Sequence, residues 1–142
     1  MAADFRLIAD TFRGKRVLVT GHTGFKGSWL CLWLNELGAE VTGVALPPAH
    51  GPSMFESARI AERVVHRIAD IRSQEQFASA TDGLDVDLII HMAAQSLVRP
   101  SYENPVETIS TNVTGTAVVL DRAREMTSLE GIVVVTSDKC YE

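Results

Sequence analysis

Apolar residues in this chain gather into short unbroken runs rather than alternating with polar ones. Val17-Leu18-Val19, Val41 to Leu46, Leu88-Ile89-Ile90 and Ile132 to Val135 are apolar or nearly so throughout, and a weaker run spans Val64 to Ile68. Such runs, with no polar face, are the pattern of parallel strands covered on both sides. Between them the period changes. Trp29, Trp33 and Leu37, with Leu30 and Leu34 beside them, recur at four-residue spacing and predict a helix that buries both tryptophans, with Gly38 as its stop. A second long helix is predicted from Asn104 as N-cap, with Pro105 at the first helical position and Glu107 placed to return a capping bond. Its buried face is expected to be Val106, Ile109, Val113, Ala117 and Leu120. Arg72 to Ala80 reads as a shorter helix, and residues 1–14, with Phe5, Ile8 and Phe12, as a helical extension outside the fold.

Strand and helix therefore alternate. Parallel neighbours need crossover connections, and those are right-handed. The expected fold class is α/β: a single domain over residues 1–142 built on a doubly wound parallel sheet of the Rossmann type, cut off after about five strands. No repeat, linker or low-complexity stretch interrupts it, and Leu46-Pro47-Pro48 to Pro52 reads as a rigid loop.

Composition narrows the partners. With 46% hydrophobic and 22% charged residues the chain is globular, and a net charge of −5 argues against a nucleic-acid partner. The apolar runs are too short to span a bilayer, and the first ten residues do not read as a secretory signal. Cys31 and Cys140 are far apart and lack metal-ligand spacing, so two reduced thiols in a cytoplasmic protein, with no metal, are expected.

The candidate chemistry starts directly after the first strand, at Thr20-Gly21-His22-Thr23-Gly24-Phe25-Lys26-Gly27. Glycines at that spacing, between a strand and a helix, form a tight turn whose backbone can approach a pyrophosphate, and the helix N-terminus adds free N–H groups and partial positive charge. A dinucleotide is the expected ligand. The end of the second strand, where an acid often holds the ribose, reads Val44-Ala45-Leu46, so this position does not settle NAD against NADP.

These glycines, with Phe25 before Lys26-Gly27, resemble the extended short-chain dehydrogenase/reductase family, the NAD-dependent epimerases and dehydratases. Asp70-Ile71 stands where such proteins contact adenine. His91-Met92-Ala93-Ala94-Gln95 stands where small residues let the cofactor lie against the backbone. Asn112, with Gly115-Thr116 after it, matches the family's helix asparagine, and Thr136-Ser137-Asp138 ends the fifth strand where the catalytic Ser or Thr sits. Finer wording resembles the CDP-glucose 4,6-dehydratase branch: Gly21 to Leu30, Ala93 to Tyr102, and above all Thr136-Ser137-Asp138-Lys139-Cys140-Tyr141-Glu142, since related dTDP-glucose dehydratases carry Asp-Glu where this chain has Asp-Lys.

The resemblance implies NAD as cofactor, CDP-glucose as the nucleotide-sugar substrate, and a lyase that yields CDP-4-keto-6-deoxy-glucose. It implies that Gly21, Thr23, Gly24, Phe25, Lys26, Gly27, Asp70, Ile71, Ala93, Ala94, Gln95 and Asn112 hold the cofactor, and that Gln95, Ser96 and Arg99 meet the substrate. It assigns Ser137 to the C4 oxygen, Asp138 to the departing C6 hydroxyl as acid, and Lys139 to the C5 proton as base. Such an acid needs a raised pKa and such a base a lowered one. On the residues alone, Asp138-Lys139 is an exposed charged pair, Asn112 a buried amide that satisfies backbone groups, and His91 a satisfied structural histidine rather than a ligand. Arg99 and Tyr102 read equally well as substrate contacts or as solvated loop residues.

The family's Tyr-x-x-x-Lys pair is missing: Val106 stands four residues after Tyr102, and four after Tyr141 lies beyond Glu142. The nucleotide-recognising C-terminal domain is missing too. The expectation is therefore part of a dehydratase, a homo-oligomer when complete. The alternatives are a non-catalytic dinucleotide-binding module or another epimerase or reductase of the family, the last disfavoured by Asp138-Lys139. The 142-residue chain is expected to give no 4-keto product from CDP-glucose and NAD; measurable product would refute the incompleteness.

Overall fold

A computed structural model of the protein describes residues 2–48 and 51–137, with side chains from residue 6 onward. In chain order the elements are α1 (Ala2–Phe12), β1 (Arg16–Thr20), α2 (Phe25–Glu36), β2 (Glu40–Ala45), α3 (Met54–Ser57), a 3-10 turn (Ile60–Glu62), β3 (Val65–Ile68), α4 (Gln74–Ala80), β4 (Leu88–His91), α5 (Val98–Glu103), α6 (Pro105–Ile109), a π-helical turn (Ser110–Gly115), α7 (Thr116–Ala123) and β5 (Gly131–Val134). The sheet has five strands in the order β3-β2-β1-β4-β5. Every neighbouring pair is parallel. The chain leaves β1 in one direction and returns to β4 on its other side, so the carboxyl ends of β1 and β4 flank the point where the winding reverses. Ligands of such sheets bind at that crevice.

Both faces of the central strands are covered, as the unbroken apolar runs predict. On one side Val17, Val19 and Val41 pack with Cys31 and Leu34 of α2, Phe55 of α3 and Ile60. On the other, Leu18, Val44 and Ile89 pack with Phe77 of α4, Val119 and Ala123 of α7, and Met126. At the opposite end from the crevice, Arg16 donates to Asp87 through Nη2 at 2.6 Å and through its backbone N–H at 2.8 Å, tying β1 to the entry of β4.

Two expectations about faces fail, each for a physical reason. Trp29 and Trp33 are not core: they are 51% and 47% exposed. The helix is apolar on nearly every side, so periodicity could not choose its inner face. The choice is made by proximity, since the buried row is Gly27, Ser28, Cys31 and Leu34, small residues where the helix runs closest to the sheet. The second helix is not continuous. A π turn at Ser110–Gly115 separates α6 from α7, and Gly115, Val119 and Ala123 form the buried row. Val106, Ile109 and Val113 are 80%, 61% and 63% exposed, and Ala117 and Leu120 are exposed with them. Asn104 precedes Pro105 as expected but its side chain makes no capping bond. Glu107 pairs with Arg72 instead.

The last strand forms next to β4, yet Ile132 to Val135 remain substantially exposed, so a sequence written for burial lies uncovered on the sheet edge. Phe77 is buried to 1% exposure among α4, α7 and the sheet. Phe77→Ala is expected to cost about 3–5 kcal/mol. That is a large part of the stability of a domain this size, and it should lower the urea midpoint with little change in slope.

Candidate cofactor site

Most sequence-predicted site segments among the described residues lie at the carboxyl end of a strand, while Arg99 lies in α5 and Asn112 in the π turn. The glycine turn follows β1, Asp70-Ile71 follows β3, Ala93 to Gln95 follow β4, and Ser137 follows β5 as an exposed residue. Asp138 and Lys139, with Cys140, lie outside the described residues.

The three glycines have three different reasons. Gly21 has φ +78°, a left-handed conformation that favours glycine, and a Cβ there would stand 2.8 Å from the Ala93 nitrogen. Gly27 lies so close beneath the turn that a Cβ would reach 2.1 Å from the Gly21 carbonyl oxygen. Gly24 has neither reason. Its backbone is extended, at φ −76° and ψ 167°, and a Cβ would meet only the Gly21 oxygen at 3.4 Å. The first two glycines are required by the protein's own packing. The third leaves one side of the turn bare where an external group would approach.

Gly24 is also the N-cap of α2, and no side chain caps that helix. The first turn carries no acid, and Lys26 stands exposed within it. Uncapped N–H groups, the helix dipole and a cation on one surface are the components of an anion site. Thr23 Oγ1 donates to the Leu46 carbonyl at 3.0 Å, which joins the turn to the end of β2. Phe25 is 70% exposed beside it. These observations fit a dinucleotide pyrophosphate.

The β4 loop is held against this turn by one chain of hydrogen bonds whose direction can be deduced. Thr20 Oγ1 accepts from the Met92 and Ala93 N–H groups at 3.1 and 3.2 Å. Its own proton therefore goes to His91 Nδ1, 2.6 Å away. With Nδ1 accepting, neutral His91 carries its proton on Nε2 and donates to Thr116 Oγ1 at 2.9 Å. Thr116 donates in turn to the Asn112 carbonyl at 2.7 Å. Thr20 and His91 are buried, and burial lowers the His91 pKa, in keeping with a ring that must accept. His91 is thus a structural histidine.

Asn112 grips the backbone of Gln95 at two points. Its Oδ1 accepts from Gln95 N–H at 2.8 Å and its Nδ2 donates to the Gln95 carbonyl at 2.9 Å. The Gln95 side chain is engaged within the loop, donating to the Leu97 carbonyl and Thr108 Oγ1 and accepting from Leu97 N–H. Ser96 is exposed, and Arg99 is exposed and paired with Glu103. Tyr102 is 84% exposed. Ile71 is buried against Gly115, where a Cβ would come within 2.6 Å of its Cδ1.

Asp70 meets Arg72, which donates from Nε, Nη2 and its backbone N–H. The guanidinium holds the Asp70 carboxyl below its usual range. A concavity of about 490 Å³ lies beyond this pair, lined by Arg72 and the α5–α6 corner. It is displaced from the glycine turn, and the chemistry of the turn identifies the site better than that hollow does. Among the described residues no cluster could hold a metal ion, and no helix is long and apolar enough to cross a membrane.

Sequence reasoning missed Thr20, Gly43, His66, Arg72 and Thr116. Each acts across more than 20 residues, apart from Arg72, whose carboxylate partner Asp70 stands two positions away. His22 is buried inside the turn itself, with Nε2 2.6 Å from His66 Nδ1. Its Nδ1 is buried without a hydrogen-bond partner among the described residues.

Burial, then the neighbouring His66, pushes His22 down to about 4 from the ordinary 6.5. The unfolded chain therefore takes up the proton first. The stability due to His22 is whole above about pH 6.5 and is lost as pH falls from there toward about 4. His66 and His91, both lowered by burial, act in the same direction. Asp87, held down to about 2 by Arg16, weakens the fold only in stronger acid. The urea midpoint is thus expected to decline between pH 6.5 and 4, with a shallower decline in His22→Gln; a flat profile would refute this.

The comparisons agree with this geometry. A family model described as GDP-mannose 4,6 dehydratase matches residues 18–141. The CDP-glucose 4,6-dehydratase of Salmonella typhimurium is 49% identical over 131 residues, 92% of this chain and 36% of that protein. A probable dTDP-glucose 4,6-dehydratase of Sinorhizobium fredii is 32% identical, over 78% of this chain and 32% of its own length. The chain thus spans about a third of the curated relatives it matches. Among solved structures, UDP-glucose 4-epimerase from Stenotrophomonas maltophila with bound NAD aligns at TM-score 0.73 and 28% identity, covering 88% of this chain and 38% of that one. An epimerase from Methanothermobacter thermautotrophicus aligns at TM-score 0.76 and 26% identity, covering 92% and 37%. With its reversed-winding parallel sheet, its uncapped glycine turn and a family match that runs from β1 past β5, the chain belongs to the GDP-mannose 4,6-dehydratase family of sugar-nucleotide dehydratases and epimerases.

Proposed function

We propose that the chain is the NAD-binding portion of a sugar-nucleotide 4,6-dehydratase, a lyase that acts on CDP-glucose. The observation that carries this reading is Gly24: a glycine that the protein's own packing does not require, at the uncapped start of α2. Support for the substrate comes from the 49% identical relative named as a CDP-glucose 4,6-dehydratase, and from the Asp138-Lys139 wording after Ser137.

In this reading NAD supplies a reversible hydride acceptor, taking hydride from C4 of the sugar and giving it back at C6. The Phe25, Lys26 and Gly27 N–H groups hold the pyrophosphate, with Gly21 and Gly24 allowing its close approach and Thr23 fixing the turn to β2. Asp70 and Ile71 border the adenine. Ala93 and Ala94 present small side chains to the nicotinamide half, while Asn112 and Gln95 set the path of that loop. Ser96 and Arg99 face the sugar nucleotide.

Ser137 hydrogen-bonds the C4 oxygen as it becomes a ketone, the C4 hydroxyl proton passing to the tyrosine of the family's Tyr-x-x-x-Lys pair, which these 142 residues do not contain. The ketone acidifies the C5 proton, which Lys139 removes while Asp138 protonates the departing C6 hydroxyl. Both need environments that bring their pKa values toward neutrality. The same family also contains epimerases, which act at C4 without losing water; the acid and base after Ser137 favour the dehydratase.

Two measurements test this reading. Gly24→Leu keeps a backbone conformation that leucine adopts freely, so the fold should survive. NAD affinity by calorimetry should fall about tenfold to a hundredfold, the worth of hydrogen bonds to a charged group. Unchanged affinity removes the phosphate assignment. In the full-length protein, Lys139→Ala should slow C5 proton exchange more than C4 oxidation; equal loss at both steps would mean that Lys139 only orients the substrate.

A further inference from the structure

The glycine turn contains a histidine that the proposed cofactor contacts leave unused. His22 is fully buried beneath it. Its carbonyl accepts from Ser28 Oγ at 2.9 Å, which anchors the first turn of α2. Its ring lies across β2 and extends toward the edge strand. It can do so because residue 43 is glycine: a Cβ there would stand 2.3 Å from the ring's Cγ. Beyond β2, Nε2 meets His66 Nδ1 at 2.6 Å. His66 is the β3 residue paired in register with Gly43. Phe55 packs edge-on against the His22 ring at 5.5 Å between centroids, and against the His66 ring at 5.0 Å.

A bond of that length between two ring nitrogens needs one proton between them. Either ring can supply it: His66 donates from Nδ1 to His22 Nε2, or His22 donates from Nε2 to His66 Nδ1. In both arrangements a single bond joins the two rings.

The consequence is mechanical. β3 is four residues long and among the described residues pairs only with β2, so it is the least restrained strand on that side of the site. Its end leads directly into Asp70-Ile71. The imidazole bond ties this strand to the turn over the top of β2.

We propose that His22, Gly43 and His66 form a strap that fixes the spacing between the pyrophosphate turn and the adenine edge, with both histidines acting as positioning residues that do not touch the ligand. This rests on the NAD reading above. A ligand that spans both places benefits from a preset spacing, because less ordering is left to be done on binding. A ligand held at one place does not.

The test uses the full-length protein. His66→Leu removes the bond and keeps an apolar group against Phe55; His66→Ala is a second removal variant in case leucine disturbs the edge. His66→Asn keeps an N–H donor near the position of Nδ1. In the removal variants, affinity for NAD and for ADP-ribose should fall about tenfold, the scale of one buried hydrogen bond, with AMP affinity unchanged and the asparagine variant recovering most of the loss. Unchanged NAD affinity, or an equal fall for AMP, overturns the strap. Wild-type protein that binds no NAD overturns the reading beneath it, and the strap falls with it.

Discussion

The site depends on how closely the first turn of α2 lies on the turn that precedes it. With the Gly27 backbone against the Gly21 carbonyl, α2 begins directly under the phosphate turn, and its N–H groups open onto the crevice. A side chain at Gly27 would push the helix away from the turn, and one at Gly21 would strike the β4 loop at Ala93. The same constraint determines which face of α2 is inward. Ser28, Cys31 and Leu34 follow Gly27 into the interior, and the two tryptophans are left on the flanks. One close approach thus decides the ligand surface, the core row and the exposed aromatics together.

Polar groups complete what packing begins. The β4 loop has no glycine to fix its course, yet it must lie against Gly21. Its position comes from Thr20, His91, Thr116 and Asn112, each giving and taking protons in a single consistent direction. Such a chain has no slack, because a buried donor or acceptor left unpaired costs about 1–3 kcal/mol. It crosses from β1 through β4 to the helix segment and comes back to the loop at Gln95. The cofactor surface therefore rests on three elements distant in sequence.

Much of the architecture was legible in the residues. The apolar runs located all five strands to within one residue at each end, and the glycine spacing located the turn. What was not legible were the inward faces. Both errors arose where a helix is apolar on more than one side: around α2, and along Val106 to Leu120, where the apolar row that matches the helical period is exposed. Periodicity finds a face but cannot say whether this stretch of chain supplies its cover. The long-range polar pairs were invisible for another reason. His22 and His66 have no sequence relation, and the Gly43 that lets them meet looks like any glycine in a strand. His91 is the buried imidazole, paired at both nitrogens, that the residues suggested, whereas Asn112, read as a buried amide, is exposed and still pairs with the Gln95 backbone.

The π turn at Ser110–Gly115 accounts for the largest departure from the expected helix, and it also determines how the segment tolerates change in length. It holds one residue more than an α-helical path would need. The wider turn absorbs that residue, so removing one residue from within it would let α6 and α7 merge into one regular helix with Thr116–Ala123 still facing as before. The regular helix has no such slack: each of its residues turns the chain by about 100°. A deletion at Ala117 or Val118 would rotate everything after it by about that angle, and Val119 and Ala123 would swing out of the core. Along this helix the place of a deletion, more than its size, decides whether the core stays joined to the site.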